Sequence, residues 1–380
     1  MTISPLARPV YVMAKPVGSA CNLACDYCYY SSTGGGQMSD ALLENFIRQY
    51  IEMQTTQDVL FTWHGGEPTL RGLDFYRRVV ALQRRYAGGR HIDNALQTNG
   101  TLLTEDWCRF LHDEGWLVGI SIDGPEDMHN ALRHNRCGKP TWAEVMRSVE
   151  MMQRFDVQWN AMATINTANV LRPEAFYRFF CDIGCDYLQF TPVAEGETGC
   201  IDGRSWGSFL CGVFDVWVRR DVGRRFVQIF DATLAMWMGV EPGVCVFGPT
   251  CGHAAVIEAD GSVYSCDHFA YPSHRLGRLG ESADSGDALV ELLYGERQAV
   301  FGQQKADGLT DECRRCPWLF ACHGECPRLR RGVSADGQGG HNVLCAGYKR
   351  YFEHVAPAME FMRRELLAER PPANVMRLYR

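Results

Sequence analysis

Residues 9 to about 195 alternate between short apolar segments and longer amphipathic segments. Segments such as PVYVMAK and WLVGISIDGP have the length and apolar content of buried strands. The segment SDALLENFIRQYIEMQ instead carries apolar residues at helical spacing, and Ser39 is suited to cap its first turn. The predicted buried stripe of this helix consists of Leu42, Leu43, Phe46, Ile47, Tyr50 and Ile51. The pattern predicts six successive strand–helix units.

Repeated strand–helix units predict an α/β fold with a parallel sheet. Six units favour a partial, TIM-like (β/α)6 barrel, although periodicity alone leaves a doubly wound open sheet possible. In such a barrel the functional groups lie at the carboxyl ends of the strands. The polar and glycine-rich motifs fall there, in a cysteine loop and in HGGEP, QTNG and SIDGP.

The pattern changes in the second half of the chain. Residues 196–244 have the spacing of a helical connection, and glycine and cysteine become frequent from Cys245 onward. There AVIEADGSVYSCD predicts a hairpin with its turn at Asp260 and Gly261, and FEHVAPAMEFMRRELLAE predicts a closing helix. We therefore expect a barrel with its connection over residues 1–235, a cysteine-rich domain over 236–350 and a terminal helix over 351–380.

Composition narrows the class of protein. The 380 residues are 46% hydrophobic and carry a formal net charge of −7, which argues against a general nucleic-acid partner. The sequence has no apolar run long enough to span a bilayer, and MTISPLARPV lacks the apolar core of a signal peptide. We expect a soluble, cytoplasmic protein without a membrane partner.

Seventeen cysteines are an unusual number for such a protein. In a reducing compartment they favour metal or cluster ligation over disulfides. Three form the motif C-x3-C-x2-C at Cys21, Cys25 and Cys28, and eight more lie between Cys245 and Cys345. Three thiols on one loop hold three irons of a four-iron cluster and leave the fourth iron open. The alternatives are a zinc site completed by a distant ligand and plain core cysteines.

The motif CNLACDYCYY resembles the signature of radical S-adenosylmethionine (radical SAM) enzymes. The resemblance implies a 4Fe–4S cluster whose open iron binds S-adenosylmethionine, which is cleaved to a 5′-deoxyadenosyl radical. It also implies that the motif at Gly65, Gly66, Glu67 and Pro68 binds the methionine amino group. A turn without Cβ atoms allows backbone groups to approach a ligand closely.

Further cofactor contacts follow from the same resemblance. Tyr27 lies inside the cysteine loop, where the family places an aromatic residue near the adenine. Ser121, Arg133 and Leu188 lie where relatives contact the cofactor, and Arg133 is suited to pair with the methionine carboxylate.

The second cysteine set could hold two four-iron clusters or two zinc ions, because eight thiols match either. Its C-x2-C-x5-C-x3-C block resembles the twin-cluster extension called the SPASM domain. The resemblance implies two interleaved sets of ligands, which give three 4Fe–4S clusters in all. The sets are Cys245, Cys251, Cys266 and Cys326, and Cys313, Cys316, Cys322 and Cys345.

Nearly the whole chain resembles the anaerobic sulfatase-maturating enzymes, in stretches such as MAKPVGSACNLACDYCYY, GGEPTL, LQTNGTLL and DGSVYSCDH. The resemblance implies oxidation of a cysteine or serine of an unfolded sulfatase, or of a similar peptide, to Cα-formylglycine by hydrogen abstraction at Cβ. It assigns the catalytic base to Asp267, with His268 as a weaker candidate near the substrate. The auxiliary clusters would accept an electron, and a flavodoxin or ferredoxin would donate one.

One residue departs from that resemblance. Sulfatase-maturating enzymes carry Gln before GGEP, whereas this chain carries His64, which we expect on the substrate side of the cofactor. WHGGEP is similar to enzymes that cross-link or oxidise ribosomally made precursor peptides, so a peptide-modifying enzyme is the alternative. A non-catalytic electron carrier is a third interpretation, but a carrier has no need of GGEP.

Overall fold

The computed structural model describes residues 9–30, 36–282 and 286–379. Strands and helices alternate along the first half, as the pattern predicts. The strands are β1 Tyr11–Ala14, β2 Asp58–Trp63, β3 His91–Thr98, β4 Leu117–Ser121, β5 Trp159–Ile165, β6 Tyr187–Pro192, β7 Phe226–Val227, β8 Ala254–Ile257, β9 Ser262–Tyr264, β10 Arg275–Arg278, β11 Gly332–Val333 and β12 Gly339–His341. The helices are α1 Asp40–Glu52, α2 Leu73–Tyr86, α3 Glu105–Asp113, α4 Glu126–Asn130, α5 Trp142–Arg154, α6 Pro173–Asp182, α7 Gly203–Arg220, α8 Gln228–Met238, α9 Leu289–Tyr294, α10 Glu296–Asp307, α11 Asp311–Arg314, α12 Leu319–Cys322 and α13 Cys345–Leu367.

Strands β1 to β6 lie side by side in sequence order, and each pairs in parallel with the next. A doubly wound sheet would reverse its strand order at a switch point, so the consecutive order excludes that alternative. The fold is the predicted α/β partial barrel. Strand β7 adds one unpredicted strand at the β6 edge, within the segment expected to be wholly helical.

The hairpin of the cysteine-rich region joins the same sheet. β8 and β9 are antiparallel, with Gly261 at a φ of +85° in the predicted turn. β8 also pairs in parallel with β1, from Tyr11 opposite Ala254 to Ala14 opposite Ile257. The ends of β1 and β8 therefore lie next to each other, and the Lys15 amide donates to the carbonyl of Ile257 over 3.0 Å.

Helix α1 shows how the barrel is covered. The hydroxyl of Ser39 accepts a hydrogen bond from the Leu42 amide over 3.2 Å, as expected of an N-cap. All six residues of the predicted stripe are buried. Phe46 on this stripe packs edge-on against Phe61 and Trp63 of β2. Burial of one apolar face thus fixes the helix on the sheet.

Glycines bring the closing helix against α7. A Cβ atom at Gly347 would lie 2.0 Å from the carbonyl oxygen of Gly203, so the two backbones touch there. The closing helix α13 begins at Cys345, earlier than its apolar pattern indicates, and places that thiol at its first turn. The predicted division into three domains remains a prediction, and residues 235 and 350 lie inside α8 and α13.

In the described part of the chain, every helix is too short or too polar to cross a membrane.

Candidate active site

The cysteine loop follows β1 and is held by the segment after α4. The amides of Ala24 and Asp26 donate to the carbonyls of His134 and Leu132 over 2.9 and 3.0 Å. The thiols of Cys21, Cys25 and Cys28 lie close enough to interact electrostatically. Burial raises the pKa of Cys25 to about 11. The structure brings the three predicted ligands together on one loop.

The glycine turn of HGGEP packs directly on this loop. The amide of Gly66 donates to the carbonyl of Gly18 over 2.9 Å, and that of Glu67 donates to Ala20 over 2.8 Å. Gly65 has a φ of +127°, and a Cβ atom at Gly66 would lie 2.2 Å from the Ala20 oxygen. Only glycines allow this contact.

The Glu67 carboxylate is completely buried and connects two strand ends. It accepts hydrogen bonds from Thr98 and from the Asn99 amide, each over 2.7 Å, and from the amide and hydroxyl of Thr69. Burial raises the pKa of Glu67, and these hydrogen bonds oppose the shift. The carboxylate thereby fixes the GGEP turn to QTNG. Pro68, next to it, accepts a hydrogen bond from the Tyr76 hydroxyl over 3.0 Å.

Two predicted cofactor residues meet on a carboxylate that the sequence analysis did not single out. Asp123, in SIDGP, is completely buried and accepts from the Tyr27 hydroxyl, from the Arg133 Nε atom over 3.0 Å and from the Thr164 amide over 2.9 Å. The sequence signal for Asp123 was an Asp–Gly pair directly after a predicted strand. The arrangement fixes Tyr27 and Arg133 beside Cys25.

The other two predicted cofactor residues lie apart from that network. Ser121 ends β4 and accepts a hydrogen bond from the Gln97 side chain over 3.1 Å. Leu188 is the second residue of β6, is buried, and pairs in register with Ala161. Leu188 therefore lies inside the sheet rather than at the carboxyl end of its strand.

The predicted base lies at the junction of the barrel and the hairpin. The Asp267 Oδ1 atom lies 2.5 Å from the Nζ atom of Lys15, and its Oδ2 atom accepts from the Tyr29 hydroxyl over 2.5 Å. Burial alone would raise the pKa of Asp267, but Lys15, His64 and His268 outweigh it and hold that pKa well below its usual range. Asp267 is therefore a carboxylate anion.

A second carboxylate shares the same lysine. Glu258 lies 3.5 Å from the Lys15 Nζ atom and accepts from the Tyr30 hydroxyl over 2.5 Å. Burial raises the pKa of Glu258, against the opposing effect of Lys15. Lys15 itself is completely buried, and its ammonium lies 3.4 Å from the centre of the Tyr30 ring.

The predicted substrate-side histidines both border Asp267. The His64 amide donates to the Ala14 carbonyl over 2.9 Å, and burial lowers the pKa of its ring. Its buried Nδ1 atom has no hydrogen-bond partner among the described residues. The ring of His268 packs edge-on against Tyr29, and its Nδ1 atom lies 3.8 Å from the Sγ atom of Cys326.

Sequence reasoning missed Lys15, Tyr29, Tyr30 and Glu258. The signal for Lys15 was a charged residue directly after a buried strand, where side chains reach the carboxyl end of a barrel. The two tyrosines directly follow Cys28. Glu258 could not have been found in this way, because its position depends on the pairing of β8 with β1.

The second cysteine set forms two groups. Cys313, Cys316, Cys322 and Cys345 line one cavity together with Glu312, His341 and Lys349. Within that cavity, ligand atoms of Glu312, His341 and Cys345 lie within 4.8 Å of one another. Burial raises the pKa of Cys322 to about 12 and that of Cys345 to about 11. Soft thiolates in this number suit an iron–sulfur cluster.

The other group lies beside the hairpin. Cys266 lies within electrostatic range of Cys245 and Cys251, and Cys326 lies within range of Cys266 and Cys245. The ammonium of the buried Lys305 donates to the carbonyls of Cys245 and Val246, each over 2.8 Å. The two groups match the interleaved sets implied by the resemblance.

Comparison with known proteins places this geometry in a family. Residues 16–180 match the model of the Radical SAM superfamily. The serine-type anaerobic sulfatase-maturating enzyme of Bacteroides thetaiotaomicron is 48% identical over an alignment of 404 positions, which covers 99% of this chain and 96% of that protein. The chain belongs to the family of anaerobic sulfatase-maturating enzymes.

A cysteine-type anaerobic sulfatase-maturating enzyme of Clostridium perfringens is 31% identical over 369 residues, covering 92% of this chain and 97% of that protein. The solved structure of native anSMEcpe with bound AdoMet and Cp18Cys peptide has a TM-score of 0.86 at 30% identity. It covers 94% of this chain and 99% of that one. The prediction of a radical SAM enzyme of this family is confirmed. A precursor-peptide enzyme and an electron carrier are not favoured.

Proposed function

We propose that this sulfatase-maturating enzyme oxidises a serine or cysteine of an unfolded sulfatase to Cα-formylglycine. The observation that carries the proposal is the Asp267 carboxylate, which is held as an anion by Lys15 beside the cysteine loop. The relatives' names, serine-type and cysteine-type, supply the two target residues. The greater identity to the serine-type relative favours serine as the target here.

The residues present fit the radical cofactor. Cys21, Cys25 and Cys28 would hold three irons of a 4Fe–4S cluster, and soft thiolates are the ligands that such clusters take. S-adenosylmethionine would lie against the GGEP turn, which the close approach of Gly66 to Ala20 fixes on the cysteine loop. The remaining contacts proposed for it are Tyr27, Pro68, Ser121 and Arg133. Glu67 would act by fixing the turn, and Leu188 lies within β6, away from the strand end. When bound, the two groups supply a carbon-centred radical that removes one hydrogen atom from the substrate Cβ.

Asp267 is the proposed acceptor of the proton that must leave the substrate together with the second electron. After the hydrogen atom is lost, the substrate hydroxyl or thiol gives its proton to the Asp267 carboxylate and one electron leaves the substrate. The substrate thereby gains a carbon–oxygen or carbon–sulfur double bond, and a thioaldehyde then exchanges its sulfur with water. An ionised carboxylate at hydrogen-bond distance of the acidic group performs general-base catalysis. His64 and His268 border the same space.

The eight remaining cysteines would hold two auxiliary clusters that take up this electron. Each group has four thiols, so no iron would be left open for a substrate. His268 lies between the proposed proton acceptor and the proposed electron acceptor. It follows Asp267 in the chain, and its ring contacts the thiol of Cys326. A flavodoxin or ferredoxin is the proposed source of the electron that starts the reaction.

The test uses reduced enzyme with reconstituted clusters, S-adenosylmethionine and a sulfatase peptide bearing Ser-x-Pro-x-Arg, beside its Cys counterpart. Mass spectrometry follows the peptide, and chromatography follows 5′-deoxyadenosine. We expect an aldehyde from both peptides, with serine converted at least as efficiently as cysteine. The Asp267→Asn variant controls for the base and should make deoxyadenosine with little aldehyde. Deoxyadenosine without peptide oxidation by the unmodified enzyme would overturn the proposal.

A further inference from the structure

We infer that Lys15 is a positioning residue of the oxidation, which fixes the Asp267 carboxylate between the barrel and the cysteine-rich hairpin. This inference rests on the proposed function. Lys15 comes from the end of β1, whereas Asp267 follows β9 and the cluster ligand Cys266. Their ion pair therefore aligns a group from the hairpin with the radical site of the barrel.

The burial of Lys15 is the first step of the argument. Its side chain is completely buried, and its ammonium is 2.5 Å from Asp267. Removing an ammonium from water is costly, and buried ion pairs are on that account weak contributors to stability. A completely buried lysine at a barrel's active-site end therefore indicates a requirement other than folding.

The surroundings of Lys15 define one position for its charge. Asp267 and Glu258 lie 2.5 and 3.5 Å from the ammonium, and the centre of the Tyr30 ring, whose negative face attracts a cation, lies 3.4 Å away. Tyr30 in turn donates to Glu258. These contacts fix the ammonium, and its ion pair with Asp267 in turn fixes the carboxylate.

Asp267 keeps capacity for a substrate proton in this arrangement. Its two oxygens offer about four acceptor positions. Lys15 occupies one side of Oδ1 and the Tyr29 hydroxyl one side of Oδ2. These two contacts use fewer than the roughly four acceptor positions of a carboxylate, so Asp267 can still accept the proton of a substrate hydroxyl or thiol. The orientation of the proton acceptor is thus set by two side chains that themselves do not react.

Positioning and simple structural support lead to different results. A positioning lysine controls how much aldehyde forms for each deoxyadenosine, since deoxyadenosine production requires only the cofactor and the substrate Cβ. A structural lysine would instead change cluster content and both products together. The decisive quantity is therefore the ratio of aldehyde to deoxyadenosine.

The test compares Lys15→Met, Glu258→Gln and the double variant Lys15→Met/Glu258→Gln. Methionine keeps the length of the lysine stem, and the double variant removes one charge of each sign, so it avoids leaving two buried carboxylates without a cation. We expect both variants that lack Lys15 to lower the ratio by about tenfold or more, which is less than the roughly 10²–10⁴-fold of a lost general base because Asp267 itself remains. Glu258→Gln should lower the ratio less than the variants that lack Lys15, because it leaves the Lys15–Asp267 ion pair in place.

Two further readouts accompany the ratio. The KM for the peptide should stay unchanged while kcat for aldehyde falls, and a crystal structure of the double variant should show the Asp267 carboxylate rotated from its present position. A double variant with full iron content and an unchanged ratio would overturn the inference, as would an unchanged Asp267 carboxylate. If the unmodified enzyme makes no aldehyde, the proposed function fails instead.

Discussion

The Nδ1 atom of His268 lies 3.8 Å from the Sγ atom of Cys326. Hydrogen bonds to cluster sulfurs are among the factors that set the potential of an iron–sulfur cluster. His341 has the corresponding position in the other group, with its Nδ1 atom 3.7 Å from the Cys313 Sγ atom. Each group of four cysteines thus has a histidine in contact with one thiol.

His268→Phe should lower the reduction potential of one auxiliary cluster, because an N–H group that donates to a thiolate stabilises the more negative, reduced form. Potentials of the three clusters can be separated by redox titration followed by electron paramagnetic resonance. His341→Phe is the matched control and should shift a different cluster. A His268→Phe enzyme with all potentials unchanged would show that this contact does not reach the cluster.

Removing a proposed cluster ligand should remove one cluster. Cys345→Ala deletes the thiol at the start of α13, and we expect the iron content to fall from about twelve to about eight per chain, at four irons per cluster. Iron and sulfide analysis after anaerobic reconstitution measures the change. Cys211→Ala, in the buried face of α7, controls for general damage and should retain all the iron. About four irons in the unmodified enzyme would remove both auxiliary clusters from the proposal.

Gly66→Ala should abolish the fit of the glycine turn on the cysteine loop. Its Cβ atom would lie 2.2 Å from the Ala20 oxygen, and such overpacking costs about 1–3 kcal/mol. We expect loss of S-adenosylmethionine binding together with a lower melting temperature. Isothermal titration and thermal unfolding measure the two effects. Gly339→Ala, where a Cβ atom meets open space, should leave both unchanged.

Stability should fall in mild acid because of His129. This residue is completely buried, accepts from the Asp123 amide over 3.3 Å, and has a pKa that burial and then Arg133 lower to about 3. The unfolded chain takes up a proton below its ordinary value of 6.5, whereas the folded chain does not until about 3. The contribution of neutral His129 to the free energy of unfolding is therefore complete above pH 6.5. It declines by about 1.4 kcal/mol per pH unit below that value.

The measurement is thermal unfolding of the cluster-loaded enzyme at about pH 7.5, 6.5 and 5.5. These values bracket by about one unit the pKa of 6.5 that the histidine has in the unfolded chain. His129→Asn keeps an acceptor for the Asp123 amide but has no titratable ring. We expect a smaller loss of melting temperature in the variant between the two lower pH values. Equal losses in both proteins would assign the acid sensitivity to other groups.

The barrel could be predicted from the sequence because its signals are local. Ser39 and the stripe from Leu42 to Ile51 define α1 within a dozen residues, and each strand ends at a glycine or polar turn. The pairing of β8 with β1 could not be predicted in this way. It joins four-residue strands more than two hundred residues apart, and periodicity carries no information about such a partner.

The candidate site also has parts that depend on local sequence signals and parts that depend on long-range pairing. Cysteine spacing and strand-end glycines are local, and the structure brings the thiols and the GGEP turn together. Lys15 and Asp267 meet only because β8 extends the sheet beside β1, so their ion pair was not foreseen. Glu67 was expected to face a ligand ammonium, but its hydrogen bonds connect two turns of the chain. Residue type alone does not distinguish those two uses.

The most direct test of the proposed chemistry is deuterium transfer from a sulfatase peptide whose target serine carries two deuterium atoms on Cβ. The reduced enzyme should produce 5′-deoxyadenosine containing one of those deuterium atoms, together with an aldehyde that retains the other. Deoxyadenosine free of deuterium, or deuterium transfer that leads to a product other than the aldehyde, would contradict the proposal that this enzyme makes Cα-formylglycine by hydrogen abstraction at Cβ.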